Sequence, residues 1–140
     1  MKVWALVPGW RGHRSAVLGE FIREEYIAVG EPGLNVHEAA IIGDLTHVSE
    51  KDFESMFEKI YGNYPALANA IRVIRYKMNV GDIVIVASDG YIYAVGEVVG
   101  NYRYREEYMA LRNTERYLNR EEALEFLIER GIFVIPALLT

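Results

Sequence analysis

The run Asn79-Val-Gly-Asp-Ile-Val-Ile-Val-Ala-Ser-Asp-Gly-Tyr-Ile-Tyr-Ala-Val-Gly-Glu-Val-Val-Gly100 decides the fold. It predicts a β-hairpin. Ile83 to Ala87 is a continuous β-branched and apolar run, which predicts a strand buried on both faces, and Asp89-Gly90 supplies the positive φ angles of a two-residue type I′ turn. Tyr91 to Val99 is the return strand. Ile92, Ala94, Gly96 and Val98 fall on one of its faces, and Tyr91, Tyr93, Val95, Glu97 and Val99 on the other. Gly96 and Gly100 leave room for a bend or for another backbone to approach, which is how a small sheet curls into a barrel.

Outward from the hairpin, Lys2 to Val7 alternates and predicts a first strand ending at Pro8-Gly9, with Trp4 packed in the core. Val17, Leu18, Phe21 and Ile22 share a helical face, giving a helix from about Gly12 to Glu25. Tyr26 to Gly30 reads as a short strand, and Pro32-Gly33 opens a loop that runs through Leu45. Ser49 with Asp52 forms a capping box ahead of Phe53, Met56, Phe57, Ile60 and Tyr61, and Gly62-Asn63 ends that helix. Pro65 starts another, with an apolar stripe of Leu67, Ala70, Ile71, Ile74 and Met78 and with Arg72 and Arg75 on its opposite side. Asn101 to Tyr104 is compatible with a prolonged hairpin strand, and residues 105–118 fit either helix or loop. Asn119 and Glu122 cap a helix bearing Leu124, Leu127 and Ile128 that stops at Gly131, and Ile132 to Ile135 is a terminal strand. This order is α+β, a small curved sheet flanked by helices in one domain.

Composition narrows the chemistry. The 140 residues suit a single core, and the formal charge of -5 weighs against a dedicated nucleic-acid binder. No apolar run has the length of a membrane span and no signal peptide is evident, so the expected location is the cytoplasm. The absence of cysteine excludes disulfides, thiolate metal sites and cysteine nucleophiles. No phosphate loop is present, and His13, His37 and His47 stand apart without metal-ligand spacing. Neither catalysis nor a cofactor is therefore expected. A hydrolase using Asp44 or His47 ranks last, and Asp44 with Glu97 as paired carboxylates has nothing to bring the two together. Gly9-Trp-Arg-Gly12 fits an anion site ahead of a helix or an ordinary strand-to-helix turn.

Several of these pieces together resemble a known family. Val3 to Gly9, Phe21, Tyr26-Ile-Ala-Val-Gly30, Gly43-Asp-Leu45, Asn69-Ala70, Gly81 to Val86 and Tyr93 to Tyr104 look like an EVE-type domain. Such domains are relatives of YTH domains in the PUA-like class, and this version resembles those at the N-terminus of McrB-type modification-dependent restriction proteins. The likeness covers about residues 2 to 104. It implies a curved PUA-like β-barrel flanked by helices, without catalytic activity, that holds a flipped and methylated base of DNA in an aromatic cage. Unstacking a base costs a few kcal/mol and stacking on one ring returns about 1 to 3, so two rings and a hydrogen bond are needed.

Carried over, the base pocket would be lined by Pro8, Trp10, Val29, Gly30, Glu31, Asp44, Tyr102 and Tyr104. The family commonly has tryptophan where this chain has Glu31, followed by a longer insertion, and Trp10 is the residue that could rebuild the cage. Asp44 fits a turn cap or a base contact, and the two tyrosines fit a strand edge or a cage. Arg11, Arg14, Arg72, Arg75, Lys77 and Arg103 form basic clusters suited to phosphates, with His13 and Arg105 beside them. Acidic residues concentrate instead at Glu50 to Glu58 and at Glu121 to Glu129. The partners implied are DNA, or RNA as an alternative, and an AAA+ GTPase motor fused to the domain or assembled with it. The other class of reading is a domain that binds a small ligand or a protein in the barrel mouth.

Overall fold

The computed structural model describes residues 1–7, 14–32, 42–105 and 129–140. The helix expected from Asn119 and the segment expected after Arg105 lie almost wholly outside these residues. Within them the elements run β1 (Val3–Leu6), α1 (Arg14–Glu24), β2 (Tyr26–Pro32), α2 (Glu50–Tyr61), α3 (Pro65–Arg72), a π-helical turn (Val73–Lys77), β3 (Ile83–Ser88), β4 (Tyr91–Val98), β5 (Arg103–Arg105) and β6 (Glu129–Leu139). The chain is α+β, with a curled, half-barrel sheet and helices packed on it.

The sheet order is β1-β3-β4-β6-β2, and β5 pairs with β6. β1 and β3 are parallel, and every other pairing is antiparallel. The hairpin turns through Asp89 and Gly90, both at positive φ (55° and 82°), as the sequence predicts. β3 departs from expectation, because Val84, Val86 and Ser88 are buried while the intervening residues are half-covered: only one face of the strand meets the core. β4 also departs. Val86 faces Ala94 but Ala87 faces Ile92, so Tyr93 is the extra residue of a bulge. The bulge turns Ile92 off the Ala94 face and leaves it 66% exposed.

The curl comes from β6 and two glycines. β6 holds β2 along residues 129–136, β5 along 132–134 and β4 along 137–139, so one strand joins both halves of the sheet. A Cβ on Gly96 would strike the Leu138 carbonyl, and one on Gly100 would lie 2.7 Å from Pro136 Cγ. The close approach of another backbone is thus present at Gly96, while at Gly100 the neighbour is the Pro136 ring. β6 is longer than the predicted Ile132 to Ile135, and it already includes Glu129 and Arg130, where a helix stopping at Gly131 is expected from the sequence. Pro136 has no N–H to give to a ladder. Its carbonyl nevertheless accepts from Val99 N at 2.9 Å, and the strand continues through it.

The helices cover the inner face. Ser49 caps α2, its Oγ accepting from Asp52 N at 3.1 Å, and Glu50 and Asp52 suit the positive end of the helix. Gly62, at φ 69°, ends it. Phe21, Ile27, Leu45, Phe53, Ile71, Ile74, Phe133 and Ile135 are fully buried, each worth about 1.5–3 kcal/mol. Leu45 shows that the predicted loop from Pro32 ends in a core anchor.

The single helix predicted from Pro65 to Met78 is instead α3 followed by the π turn, closed by Met78 N to Val73 O at 2.9 Å. The hydrophobic stripe continues through Ile74 and Met78 into this turn, and the sequence period alone does not reveal the change. Trp4 is half-buried against the core, as expected, and its indole N–H donates to Asp82 Oδ2 at 2.9 Å. The same carboxylate accepts from Lys2 N (3.0 Å) and Asn79 N (2.9 Å), fastening β1 to the turn before β3. Among the described residues no helix is long and apolar enough to cross a membrane.

Candidate functional site

The π turn places two consecutive side chains on one segment of backbone. Arg75 donates from Nε to Leu45 O at 2.8 Å and from Nη2 to Thr46 O at 3.1 Å. Tyr76 donates from its hydroxyl to Val48 O at 2.7 Å, with Ser49 O at 3.2 Å. An ordinary α-turn puts neighbouring residues about 100° apart, and the wider turn accommodates both contacts.

Tyr102 closes the site from the sheet side. Its hydroxyl accepts from Leu45 N at 3.0 Å and donates to Asp44 Oδ1 at 3.2 Å. Burial pushes that hydroxyl well above the ordinary phenol range, so it stays protonated and able to donate. Asp44 also accepts from Thr46 Oγ1 (2.6 Å) and Thr46 N (3.0 Å). The Thr46 hydroxyl is the main reason that its carboxyl lies below the usual carboxylate value. Asp44 therefore acts as a turn cap, the first of the two roles that its sequence position allows.

The Arg75 guanidinium sits between two rings, 4.6 Å from the Tyr76 centroid and 5.1 Å from that of Tyr102. Tyr102 is stacked on Phe133 at 6.5 Å, and Tyr104 is tilted onto Phe133 at 5.5 Å. The Tyr102 ring thus meets both a cation and a second ring. In register, Val29, Phe133 and Tyr104 stand abreast on β2, β6 and β5. Val29 and Tyr104 therefore converge on Phe133, which fills the space between them and is wholly buried. Gly30 and Glu31 continue β2 by their backbone, at the residues facing Ile132 and Gly131. Pro8, Trp10, Arg11 and His13 lie outside the described residues, and Arg14 and Arg105 are described only by backbone, in α1 and β5.

The basic clusters are placed differently from one another. Arg72 bonds Asn69 Oδ1 at 2.6 Å and stands 3.5 Å from Glu54, and Lys77 Nζ is 2.8 Å from Glu50. These cations face the acids of α2 rather than forming a segregated basic surface, and as surface pairs they contribute about 0–1 kcal/mol each. Arg103 is exposed on β5, opposite Val134. Arg75 has no carboxylate within ion-pair distance among the described residues.

Beside Arg75 opens a cleft of about 380 Å³, lined by Thr46, Ile74, Arg75, Tyr76, Met78, Asn79, Asn101 and Tyr102. The sequence reading brought Arg75 and Tyr102 forward for separate roles, and the fold unites them. It missed Thr46, Tyr76, Asn79 and Asn101. The available signals were the polar residues flanking the hairpin, Asn79 before it and Asn101 after it. No group of side chains suited to a metal ion is found among the described residues. A family model described as a domain of unknown function (DUF8426) matches residues 4–120. No curated protein and no solved structure matches the chain.

Proposed function

The chain belongs to this DUF8426 family, and we propose that it is a non-catalytic nucleic-acid-binding domain that takes one extruded nucleotide into the cleft beside Arg75. The observation that carries this reading is the half-buried guanidinium, held between two tyrosine rings and two backbone carbonyls without an acidic partner among the described residues. A fixed cation lining a concave, largely polar space suits an acceptor-rich ligand group. The rings of Tyr76 and Tyr102 hold the arginine, so the binding chemistry is led by hydrogen bonds and charge. The finer reading, DNA with a methylated base and assembly with a motor of the McrB kind, is supported by the resemblance of the Gly81 to Val86 and Tyr93 to Tyr104 motifs.

Fluorescence anisotropy tests it with duplexes with and without methylated adenine or cytosine, single strands and RNA at low salt. Binding that falls steeply as salt rises, and at least about tenfold loss in Arg75→Ala with Arg103→Ala as comparison, is the expected result. Absence of binding to every polymer overturns the reading. The formal charge of -5 and the pairing of Arg72 and Lys77 favour a second reading, a small molecule with one anionic group. Ligand binding without any polymer binding would select it.

A further inference from the structure

We infer that the cleft is selective for guanine, an inference that rests on the nucleotide-binding reading above and adds the identity of the base. The hydrogen-bonding groups around the cleft are mostly committed. The Tyr76 and Tyr102 hydroxyls and the Thr46 hydroxyl all donate within the protein. The side-on edge of Arg75, formed by Nε and Nη2, is spent on Leu45 and Thr46 carbonyls. What Arg75 still offers is its other edge, the two N–H groups of Nη1 and one of Nη2, a fork of donors only. Asn79 Nδ2 donates to Lys77 O at 3.2 Å, which leaves Asn79 Oδ1 as an acceptor. The Asn101 carboxamide lines the same space and has no hydrogen-bond partner among the described residues.

A donor fork beside carboxamide acceptors asks for a ligand with two adjacent acceptors on one edge and donors on the next. Guanine has that pattern, O6 and N7 on its Hoogsteen edge and N1–H and N2–H on its Watson–Crick edge. Adenine would set its N6 amino group against the arginine donors, and thymine or uracil would present one acceptor where the fork needs two. Cytosine offers two adjacent acceptors, N3 and O2, but a single amino group, N4, where guanine brings both N1–H and N2–H to the carboxamide acceptors. Leaving the donors of this half-buried guanidinium unpaired is what gives such a site its discrimination.

The experiment uses the full chain and labelled single-stranded oligothymidylates carrying one central test nucleotide. The expected result is at least about tenfold tighter binding with guanine than with adenine or thymine at that position, and a smaller preference, carried by the second donor of guanine, over cytosine. Replacing guanine by 7-deazaguanine, which lacks the N7 acceptor, is expected to remove most of that preference in the unmodified protein. Asn101→Ala, which breaks no hydrogen bond within the described residues, is expected to reduce it, and Arg75→Lys, which keeps the charge and loses the fork, to bring it below about threefold. Circular dichroism establishes that each variant is folded, and the 7-deazaguanine result stands if Arg75→Lys is not. Equal affinity for the four bases, or a preference for another base, overturns the inference while leaving nucleic-acid binding in place. Binding to none of the oligonucleotides, and to no other polymer, overturns both.

Discussion

Asp82 is only 4% exposed and accepts three hydrogen bonds, from Trp4 Nε1, Lys2 N and Asn79 N. These bonds, the Trp4 bond foremost, hold its carboxyl at about 2 against an ordinary 3.8. A carboxyl depressed on folding stabilises the native state fully above its unfolded value, and that contribution is lost as pH falls through the folded value. Thermal unfolding of the unmodified protein should therefore show a loss of stability between about pH 4 and pH 2 that is smaller in Asp82→Asn, where Asp44 still titrates, and that variant should already be less stable at pH 7. A parallel slope in the two proteins would show that Asp82 is not the titrating group. Tyr102 offers a test at the candidate site. Its hydroxyl meets the backbone N–H of Leu45, a fully buried residue, so Tyr102→Phe orphans that donor. The expected cost is about 1–3 kcal/mol in urea unfolding. A cost near zero would mean that the Leu45 segment does not depend on this bond.

Among the elements, the hairpin and α2 were legible because single residues dictate them. Asp89-Gly90 permits few turns other than the one adopted, and Ser49 with Asp52 marks a helix start whatever follows. Two features were hidden for equally physical reasons. The π turn preserves an apolar stripe, since Ile74 and Met78 are buried in either helical form. β6 continues through Pro136, a tertiary outcome that local propensity opposes. The β4 bulge at Tyr93 has no local marker either, and it reverses the face of Ile92. Gly96, by contrast, was readable and can be tested. An added Cβ would meet the Leu138 carbonyl and stand 2.6 Å from Leu139 Cδ2, so Gly96→Ala should destabilise by about 1–3 kcal/mol. Unchanged stability on chemical denaturation would refute the close approach of β4 to β6.

For the molecule as a whole, the α+β class followed from element order, but the pairing of elements distant in sequence did not. Nothing in a linear reading sets Arg75 against Leu45, or Tyr102 against Asp44, because those contacts exist only once β5 lies beside β6 and the π turn faces the loop. Charge shows the same limit: the acids of α2 and the cations of α3 and the π turn look like separate clusters in sequence and are partners in space.

β6 is the last of the described strands in the sequence, and it joins β2 to β4. A nascent chain on the ribosome therefore carries β1, β3 and β4 as one incomplete sheet and β2 and β5 without their partner, with the edges of β2 and β4 that await β6 open to wrong partners. A protein ended after residue 128 is expected to give no cooperative melting transition and to aggregate. A sharp melt from such a fragment would show that the earlier strands fold without the one that unites them. Chaperone demand during synthesis should accordingly peak just before Glu129 leaves the exit tunnel and fall once Leu139 is clear.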